Sequence, residues 1–405
     1  MQIRTITAGA REAAVSRVAK AVELTRSRLE EAGYTVQTMR LALTQVANTC
    51  ADVATVVAGA EQLALDAGFD YVSIGQLESR RLPELAEAFA ATDTVFASAN
   101  IAGPDGSVRY DTIRAAAEAI VQIGATTPQG FGNLCFAASA CVAPGSPFFP
   151  AAYHNGDDPW IAIGPEASVL AVEAVQTAHD PDAGTFVDVP RDAQIPLTGS
   201  STASPRMISA LARLTALIEE HDARIVAAVR SGPPYIEHDV NFPGCDWSLA
   251  PHPAPERSIG LAIEALSGVP FGAWGTLAAI RGLTSAIRAA QVPQVGFSGV
   301  MLPVLEDTTL ADRNNTGPNG EHSAYYTLRD LLAFSAVCGT GLDTIPLPGN
   351  TTADQIAGIL TEVAALASTL RKPLTARLLP IPGLQAGERT TFDFPYFVNT
   401  RVMQI

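Results

Sequence analysis

The stretch 241–253 holds the densest group of side chains that could do chemistry. Asp246 and His252 lie in it, among prolines and next to Gly244. Proline and glycine make such a loop rigid, so its polar side chains keep one geometry at little entropic cost. Asp246 is therefore a candidate catalytic acid or base. An Asx turn or a helix cap is the alternative for Asp246, and a solvated loop residue is the alternative for His252.

A second group occupies residues 146–158, after a predicted strand. His154 is followed there by Asp157 and Asp158. Histidine titrates near neutral pH, so His154 could act as a general base or as a metal ligand. A turn histidine that bonds to the backbone is the alternative, and a solvated turn is the alternative for the two acids.

Two adjacent acids, Glu306 and Asp307, follow the apolar stretch 296–305. Paired carboxylates could bind Mg²⁺ or Ca²⁺, or could divide the roles of acid and base if their surroundings separate their pKa values. Because Asp307 precedes Thr308 and Thr309, the pattern is also typical of a helix N-terminus.

A fourth group spans residues 338–343. Cys338 could be a nucleophile if its pKa were lowered, and a buried structural thiol is the alternative. Asp343 begins a predicted strand after a glycine hinge and is a third candidate metal ligand beside the acids at 306 and 307.

Three arginines lie inside predicted apolar strands. These are Arg4, Arg40 and Arg377. An unpaired buried charge is costly, so either each pairs with an acid or together they bind an anionic substrate.

Several sequence signatures are missing. The chain contains no Gly-x-x-x-x-Gly-Lys-Ser/Thr and no Gly-x-Gly-x-x-Gly placed after a strand, which predicts that neither ATP nor NAD is a cofactor. His-Glu-x-x-His and Gly-x-Ser-x-Gly are absent too, which disfavours zincin proteases and the α/β-hydrolases. A divalent metal, Mg²⁺ or Ca²⁺, is the cofactor that the paired acids leave open.

The composition is that of a folded protein, because 47% of the 405 residues are hydrophobic and only 17% are charged. A net charge of -15 argues against nucleic acid or an anionic membrane as the partner. No apolar segment reaches the roughly 18 to 20 residues of a membrane span. The N-terminus lacks the apolar core of a signal peptide, and the five cysteines form no Cys-x-x-Cys pair, so we expect a cytoplasmic protein.

Hydrophobic periodicity predicts strands that alternate with helices. The predicted strands are 2–8, 35–42, 69–74, 94–101, 134–142, 160–164, 294–302, 343–346 and 375–379. The predicted helices are 12–31, 50–67, 83–91, 110–123, 166–178, 205–229, 255–266, 275–290 and 353–370. This alternation indicates an α/β fold with a mostly parallel sheet covered by helices.

The segment 179–204, rich in Asp, Pro, Gly, Ser and Thr, is the best boundary between two halves, approximately 1–180 and 205–405. About ten strands in two halves would fit one closed or nearly closed barrel, which makes residues 1–405 a single barrel domain. A long functional loop is the alternative for the segment.

The same residues carry a resemblance to the domain-of-unknown-function 711 family of bacterial and archaeal proteins, over nearly the whole chain. The blocks that resemble the family are Ile3-Arg4-Thr5-Ile6-Thr7, Asn100-Ile101, Pro147-Phe148 with His154, Asp246 with Ser248-Leu249-Ala250-Pro251 and Pro253, Gly275-Thr276, Gly296-Phe297-Ser298-Gly299, Pro303-Val304 with Glu306-Asp307, and Cys338 with Gly341-Leu342-Asp343.

The resemblance implies a partly open α/β barrel like that of pyruvate formate-lyase and the other glycyl-radical enzymes. It adds Asn100, Ser248 and Ser298 as candidate substrate contacts. The C-terminal residues 394–401 lack a radical-bearing glycine loop and the chain has no adjacent Cys-Cys pair, so we expect no glycyl radical.

The leading hypothesis is an enzyme that acts on a small polar or carboxylate-bearing metabolite by acid/base or metal-assisted hydrolysis. Asp246 and His154 would exchange protons, Arg4 and Arg40 would hold the anion, and the acids at 306 and 307 would position water or a metal. The alternatives are a metabolite-binding or regulatory protein without catalysis and a cofactor-independent lyase or isomerase that uses Cys338. A homo-oligomer is left open.

Overall fold

A computed structural model describes residues 1–44, 51–156, 158–179, 205–231, 240–320 and 323–405. The predicted boundary segment 179–204 and Asp157 therefore fall almost entirely outside the described residues, and His179 is described only as the last residue of a helix.

One mixed sheet of nine strands organises the described part of the chain. The strands are β1 (Ile3–Ala10), β2 (Val36–Leu43), β3 (Tyr71–Leu77), β4 (Val95–Ala102), β5 (Phe136–Ala140), β6 (Trp160–Pro165), β7 (Asn241–Cys245), β8 (Gly341–Pro348) and β9 (Leu374–Ile381). Their order across the sheet is β7-β6-β1-β2-β3-β4-β5-β9-β8. The predicted α/β class is confirmed.

Helices surround this sheet. They are α1 (Val15–Glu31), α2 (Val53–Asp66), α3 (Leu85–Phe89), α4 (Tyr110–Thr126), α5 (Ser168–His179), α6 (Pro205–Arg230), α7 (Ile259–Ser267), α8 (Thr276–Ala289), α9 (Thr308–Asn315), α10 (Leu328–Phe334) and α11 (Ala353–Leu370). None of them is long and apolar enough to cross a membrane, among the residues described.

Strands β1 to β5 form a parallel run, because each of β1 to β4 is followed by a helix that returns the chain to the same edge. Helix α1 shows how the sequence specifies this packing. Its buried side chains include Val15, Val18, Val22, Thr25 and Leu29, which recur at helical spacing and face the sheet. Strands β1, β3, β4 and β5 are almost fully buried on both faces, whereas residues 37–40 of β2 are partly exposed.

The remaining four strands run in the opposite direction. Strand β6 is antiparallel to β1 and parallel to β7, while β9 is antiparallel to β5 and parallel to β8. Strand β6 belongs by sequence to the predicted half 1–180 but runs with β7 of the predicted half 205–405. One sheet thus joins strands from both predicted halves.

The prediction that residues 294–302 form a strand of the sheet is wrong. Within it, Gln294 and Val300 form only isolated bridges, to Cys245 and Leu249. Gly296 and Ser298 have positive φ angles of 64° and 38°, and such a backbone interrupts a strand.

Strand β7 was not predicted, because Pro243 and Gly244 inside it are typical of a turn. The hydrogen-bonded ladder is an open sheet of nine strands, so the predicted closed or nearly closed barrel like that of the glycyl-radical enzymes is not confirmed.

Candidate functional site

A cavity lies where strands β1 and β2 begin and strands β6 and β7 end. We call it the arginine cavity; its volume is about 570 Å³. Its lining residues are Arg4, Thr5, Arg40, Pro147, Phe148, Phe149, Gly164, Pro165, Asp246, Ser248, Ala250, Met301, Glu306 and Arg377. The three arginines predicted from the strands therefore meet at one place, together with three of the predicted polar residues.

Arg377 lies in strand β9, all of whose residues are buried. Its Nε donates to the Asp343 carboxylate at 2.7 Å, and another guanidinium nitrogen donates to Glu306 at 2.8 Å. Asp343 is on the neighbouring strand β8, which places the two side chains in contact. Arg377 is thus paired structurally, as one of the two sequence hypotheses expects.

Arg4 is surrounded by acids at a longer range. Its guanidinium lies 3.7 Å from the Glu166 carboxylate and 3.9 Å from that of Glu306, and it donates to the carbonyl of Pro251. Glu166 also accepts from Arg257 at 3.1 Å. Arg4 therefore has partial compensation and a fixed position.

Arg40 differs from both, because it forms no ion pair with any carboxylate in the described part of the chain. Its Nε donates to the Thr38 hydroxyl at 3.0 Å. Its guanidinium stacks over the rings of Tyr71 and Phe149, with the central carbon 5.6 and 5.3 Å from the ring centroids. Loss of hydration, with the nearby charge of Arg4, lowers the pKa of Arg40 to about 10. The guanidinium remains charged at neutral pH.

Glu306 stands between the arginines and is mostly buried, with 14% of its side chain exposed. Burial raises the pKa of Glu306, and the neighbouring Asp343 charge raises it further, while Arg377, Arg4 and Arg40 oppose the shift. A carboxyl group with a raised pKa can exchange a proton closer to neutral pH than an ordinary glutamate.

Asp246 also lines the cavity, but its hydrogen bonds are directed to its own loop and to a neighbouring loop. It accepts from the backbone of Ser248, Phe297 and Ser298 at 3.1, 3.0 and 2.9 Å, and from the Ser248 hydroxyl at 2.6 Å. Burial raises the pKa of Asp246, and these four hydrogen bonds oppose that shift. The contacts are those of a group that fixes two loops beside the cavity.

The two candidate serines have different places. Ser248 lines the cavity. The Ser298 hydroxyl donates to the carbonyl of Val295 and accepts from the backbone N–H of Trp247, and Ser298 is not among the lining residues. Of the two serines, only Ser248 lines the cavity that contains the arginines.

Asp307 takes the place that the alternative sequence hypothesis gave it. It is the N-cap of α9, with its carboxylate accepting from the backbone of Thr309 and Leu310. It also accepts from the backbone of Ile259 at 2.7 Å and from the Ser258 hydroxyl at 2.8 Å, so it bonds to the start of α7 as well. A metal ion would have to compete with all of these donors.

The predicted metal site is not formed as a cluster of ligands. Glu306 and Asp343 converge on the guanidinium of Arg377, which supplies the positive charge there. Within the described ranges, no group of three or more His, Cys, Asp or Glu side chains is arranged to hold a metal ion.

His154 and Cys338 are fully buried and are not among the residues that line the arginine cavity. The backbone N–H of His154 donates to Leu43 at 3.1 Å, at the end of β2 away from the start of that strand. Cys338 lies just before β8, where its carbonyl accepts from Lys372. The structure thus does not bring these two candidates to Asp246.

Asn100 lies near the C-terminal end of β4. It lines a separate cavity with Gln76 and Arg109, and its amide nitrogen is 3.4 Å from the Gln76 side-chain oxygen. The arginine cavity does not include it.

Sequence reasoning missed Glu166 and the aromatic side chains against which Arg40 packs. Glu166 is a buried acid directly after the buried strand β6. A charged residue adjoining an apolar strand is close to the signal that identified the arginines inside the strands. The rings of Tyr71 and Phe149 carried no signal, because aromatic residues near strands are common in any core.

Comparison with known proteins places the chain in a family. The chain belongs to the family described as Uncharacterised ACR (DUF711), whose model matches residues 1–393. It is similar to UPF0210 proteins from Pyrobaculum islandicum, at 28% identity over 93% of this chain and 80% of the relative, and from Pyrobaculum aerophilum, at 28% identity over 79% and 64%. A UPF0210 protein from Actinobacillus succinogenes is 27% identical over 76% of this chain and 62% of the relative.

These relatives are longer than the matched region. The match spans 64% of the Pyrobaculum aerophilum protein and 62% of the Actinobacillus succinogenes protein, so about two thirds of their length corresponds to this chain.

Proposed function

We propose that the protein is an enzyme that binds a small carboxylate-bearing metabolite in the arginine cavity. Arg40 would contact the carboxylate of the metabolite, and Glu306 would transfer a proton to or from the metabolite. The observation that carries the proposal is the contrast between Arg40 and Arg377. Both are strand arginines in one cavity, but among the described residues only Arg377 has ion-pair partners.

A carboxylate ligand would give Arg40 an ion-pair partner, which no carboxylate among the described residues provides. An arginine presents planar donors that match a carboxylate or phosphate, and a charge that has lost part of its hydration gains most from such a partner. The Arg40 guanidinium lies over the Tyr71 and Phe149 rings, and a cation–π contact involves the charge of the group without using up its N–H donors.

Glu306 is the best placed proton-transferring group. It contacts Arg377, lies near Arg4 and lines the same cavity as Arg40. Its raised pKa favours a role as general acid or base, in a hydrolytic reaction of the bound metabolite. The Ser248 hydroxyl is a second polar group at the cavity wall that a substrate could contact.

We also propose that the nine-stranded sheet is completed to a barrel by the segment 294–303. A bridge from Gln294 reaches Cys245 at the end of β7, one from Val300 reaches Leu249 beyond it, and one from Pro303 reaches Asp343 of β8. These isolated bridges support a tenth position between the two edge strands and would place the arginine cavity inside the barrel. A resolved set of backbone hydrogen bonds across both edges in a crystal structure would test it.

Titration calorimetry with propanoate and succinate tests the carboxylate site. We expect the Arg40→Met variant to lose about tenfold to a hundredfold in affinity, since a charged hydrogen bond is lost. The methionine retains an apolar stem beside Tyr71 and Phe149. Equal affinity in wild type and variant would reject Arg40 as the anion contact.

Arg26→Met is the matched control. Arg26 is on α1, is well exposed and pairs only with Glu30 of the same helix in the described structure. This change also removes one positive charge from the protein, so it controls for net charge. Affinity for the carboxylates should be unchanged in it.

A protein that binds the metabolite without catalysis is the second candidate. The observation that favours it is that Glu306 and Asp343 are both paired with Arg377, as a purely structural role would require. The Glu306→Gln variant distinguishes an enzyme from a binding protein. If the protein is an enzyme, the variant should abolish turnover of a bound substrate. In a binding protein the same variant should bind the carboxylate at least as well as wild type, since a neighbouring negative charge has been removed.

A further inference from the structure

A larger cavity opens beside the arginine cavity, with a volume of about 1210 Å³. We call it the aromatic chamber. The two cavities share the residues Arg4, Arg40, Phe149, Glu306 and Arg377. A ligand held at Arg40 therefore has a second and larger space next to it.

One side of the chamber is a connected set of rings near the start of the parallel strands, which we call the strand wall. Tyr71 contacts Phe96 edge to face at a centroid distance of 5.5 Å, and Phe96 contacts Phe149 at 5.3 Å. Arg40 stacks on the two outer rings of this wall, those of Tyr71 and Phe149. The anion contact and the strand wall are thus one packed unit.

The other set of rings comes mainly from the C-terminal part of the chain, and we call it the C-terminal wall. Phe131 contacts Phe394 at 5.1 Å, and Phe394 contacts Tyr396 at 5.4 Å. Tyr396 is 41% exposed, which places it where the chamber opens to solvent.

Both walls line the chamber, and among the described residues no ring of one wall contacts a ring of the other. Aromatic rings attract each other at centroid distances of 4.5 to 7 Å, so a ligand ring that reaches both walls gains edge or face partners on each. An aliphatic chain of the same size would gain burial but not these directional contacts.

The rim of the chamber adds a charge preference. Asp70 and Asp93 line it and are exposed. A second negative charge at the far end of the ligand would meet these carboxylates, whereas a neutral or positively charged end would not be repelled.

We infer that the ligand is a carboxylate that carries an aromatic ring, with the carboxylate on Arg40 and the ring between the strand wall and the C-terminal wall. This inference rests on the proposed carboxylate site and names the class of its substrate.

Calorimetric titration of the full chain with three matched probes tests it: hydrocinnamate, propanoate and phenylpropanol. Hydrocinnamate has both ring and carboxylate, and each of the others lacks one of them. We expect hydrocinnamate to bind roughly tenfold or more tighter than propanoate and than phenylpropanol, because apolar burial and ring contacts add to the charged contact.

Tyr396→Ala tests the wall, with Tyr110→Ala as its control. Tyr396 is exposed enough for its removal to leave the fold intact, and Tyr110 is an exposed tyrosine of α4 that lines neither cavity. We expect Tyr396→Ala to weaken hydrocinnamate several-fold while leaving propanoate unchanged, and Tyr110→Ala to alter neither.

The outcomes separate this inference from the proposed function. If hydrocinnamate and propanoate bind equally and Arg40→Met weakens both, the aromatic ligand class is overturned and the carboxylate site stands. If neither carboxylate binds, both are overturned. If phenylpropanol binds as tightly as hydrocinnamate, the ring is held without the carboxylate and the inference also fails.

Discussion

Arg377 and Asp343 lie on the adjacent parallel strands β9 and β8, and Nε of the arginine donates to the aspartate across 2.7 Å. The pair is almost completely buried, with 9% and 2% of the side chains exposed. The neighbouring Glu306 completes a group of one cation and two carboxylates. Such a group carries its own compensation, which Arg40 in the same cavity does not have.

Arg377→Met should destabilise the protein strongly. Two buried carboxylates would lose their shared cation, and breaking a buried pair from one side costs about 3 to 5 kcal/mol. The midpoint of urea unfolding measures the effect. A change of less than about 1 kcal/mol would show that solvent compensates these acids.

Arg40→Met should leave the stability unchanged or raise it. The lowered pKa of Arg40 means that folding disfavours its charged form, and no carboxylate among the described residues would be stranded by its removal. Functional groups commonly carry such a cost. The same urea titration checks it, and a loss as large as that of Arg377→Met would place Arg40 among the structural arginines.

Much of the fold could be predicted, because buried strands and amphipathic helices have different periods. Strands β1 to β6 and helices α1 and α11 follow their predicted ranges within a few residues. The prediction failed where proline, glycine and positive φ obscure a strand pattern, as at Pro243 in β7 and at Gly296 in the segment 294–302. The local sequence pattern does not show which of these two segments forms continuous backbone hydrogen bonds with a neighbouring strand.

The site could be predicted in part, since a charge inside an apolar strand is a strong signal, and Arg4, Arg40 and Arg377 do meet. Their partners could not be assigned. The pairing of Arg377 with Asp343 depends on strand register, and whether an acid pairs with Arg40 depends on every element around it. A histidine such as His154 gives no local sign of whether it faces a cavity or the core.

Asp307→Ala should weaken the packing of two helices at once. The carboxylate caps α9 and also accepts from the backbone N–H of Ile259 in the first turn of α7. Loss of a capping contact costs about 0.5 to 2 kcal/mol, so we expect the two together to cost about 1 to 4 kcal/mol. Asp307→Asn should lose less, because its amide oxygen still accepts. Urea unfolding of both variants measures it, with Asp52→Ala as the control, since exposed Asp52 caps only α2 and should show a smaller effect.

Asp246→Asn distinguishes a structural carboxylate from a catalytic one. An amide nitrogen cannot accept from the backbone N–H groups of Ser298 or Phe297, so we expect a loss of stability of about 1 to 3 kcal/mol. Propanoate affinity should change little, because Arg40 supplies the anion contact. Loss of carboxylate binding with unchanged stability would instead return Asp246 to the catalytic role expected from the sequence.

Glu306 should make both stability and ligand binding depend on pH. Burial and Asp343 raise the pKa of Glu306 in the folded protein, so the folded state holds this proton more tightly than the unfolded state. Its contribution to stability is then fully present below the unfolded pKa of about 4.3 and is lost as the pH rises through the raised pKa. The pH dependence of stability should therefore be flatter in Glu306→Gln than in wild type.

Binding should follow the same titration, because an ionised Glu306 beside the ligand opposes a carboxylate, whereas a protonated one does not. Propanoate affinity should therefore fall as the pH rises through the pKa of Glu306 in wild type and should stay level in Glu306→Gln. Calorimetric titrations at several pH values from about 6 to 8 cover a range in which propanoate itself stays ionised, since the range lies well above the pKa of an ordinary carboxyl group. Glu118→Gln, at an exposed glutamate of α4 paired with Arg114, should retain the wild-type pH dependence. If Glu306→Gln retained it as well, another group would control the charge of the cavity, and Glu306 would lose its proposed role in proton transfer.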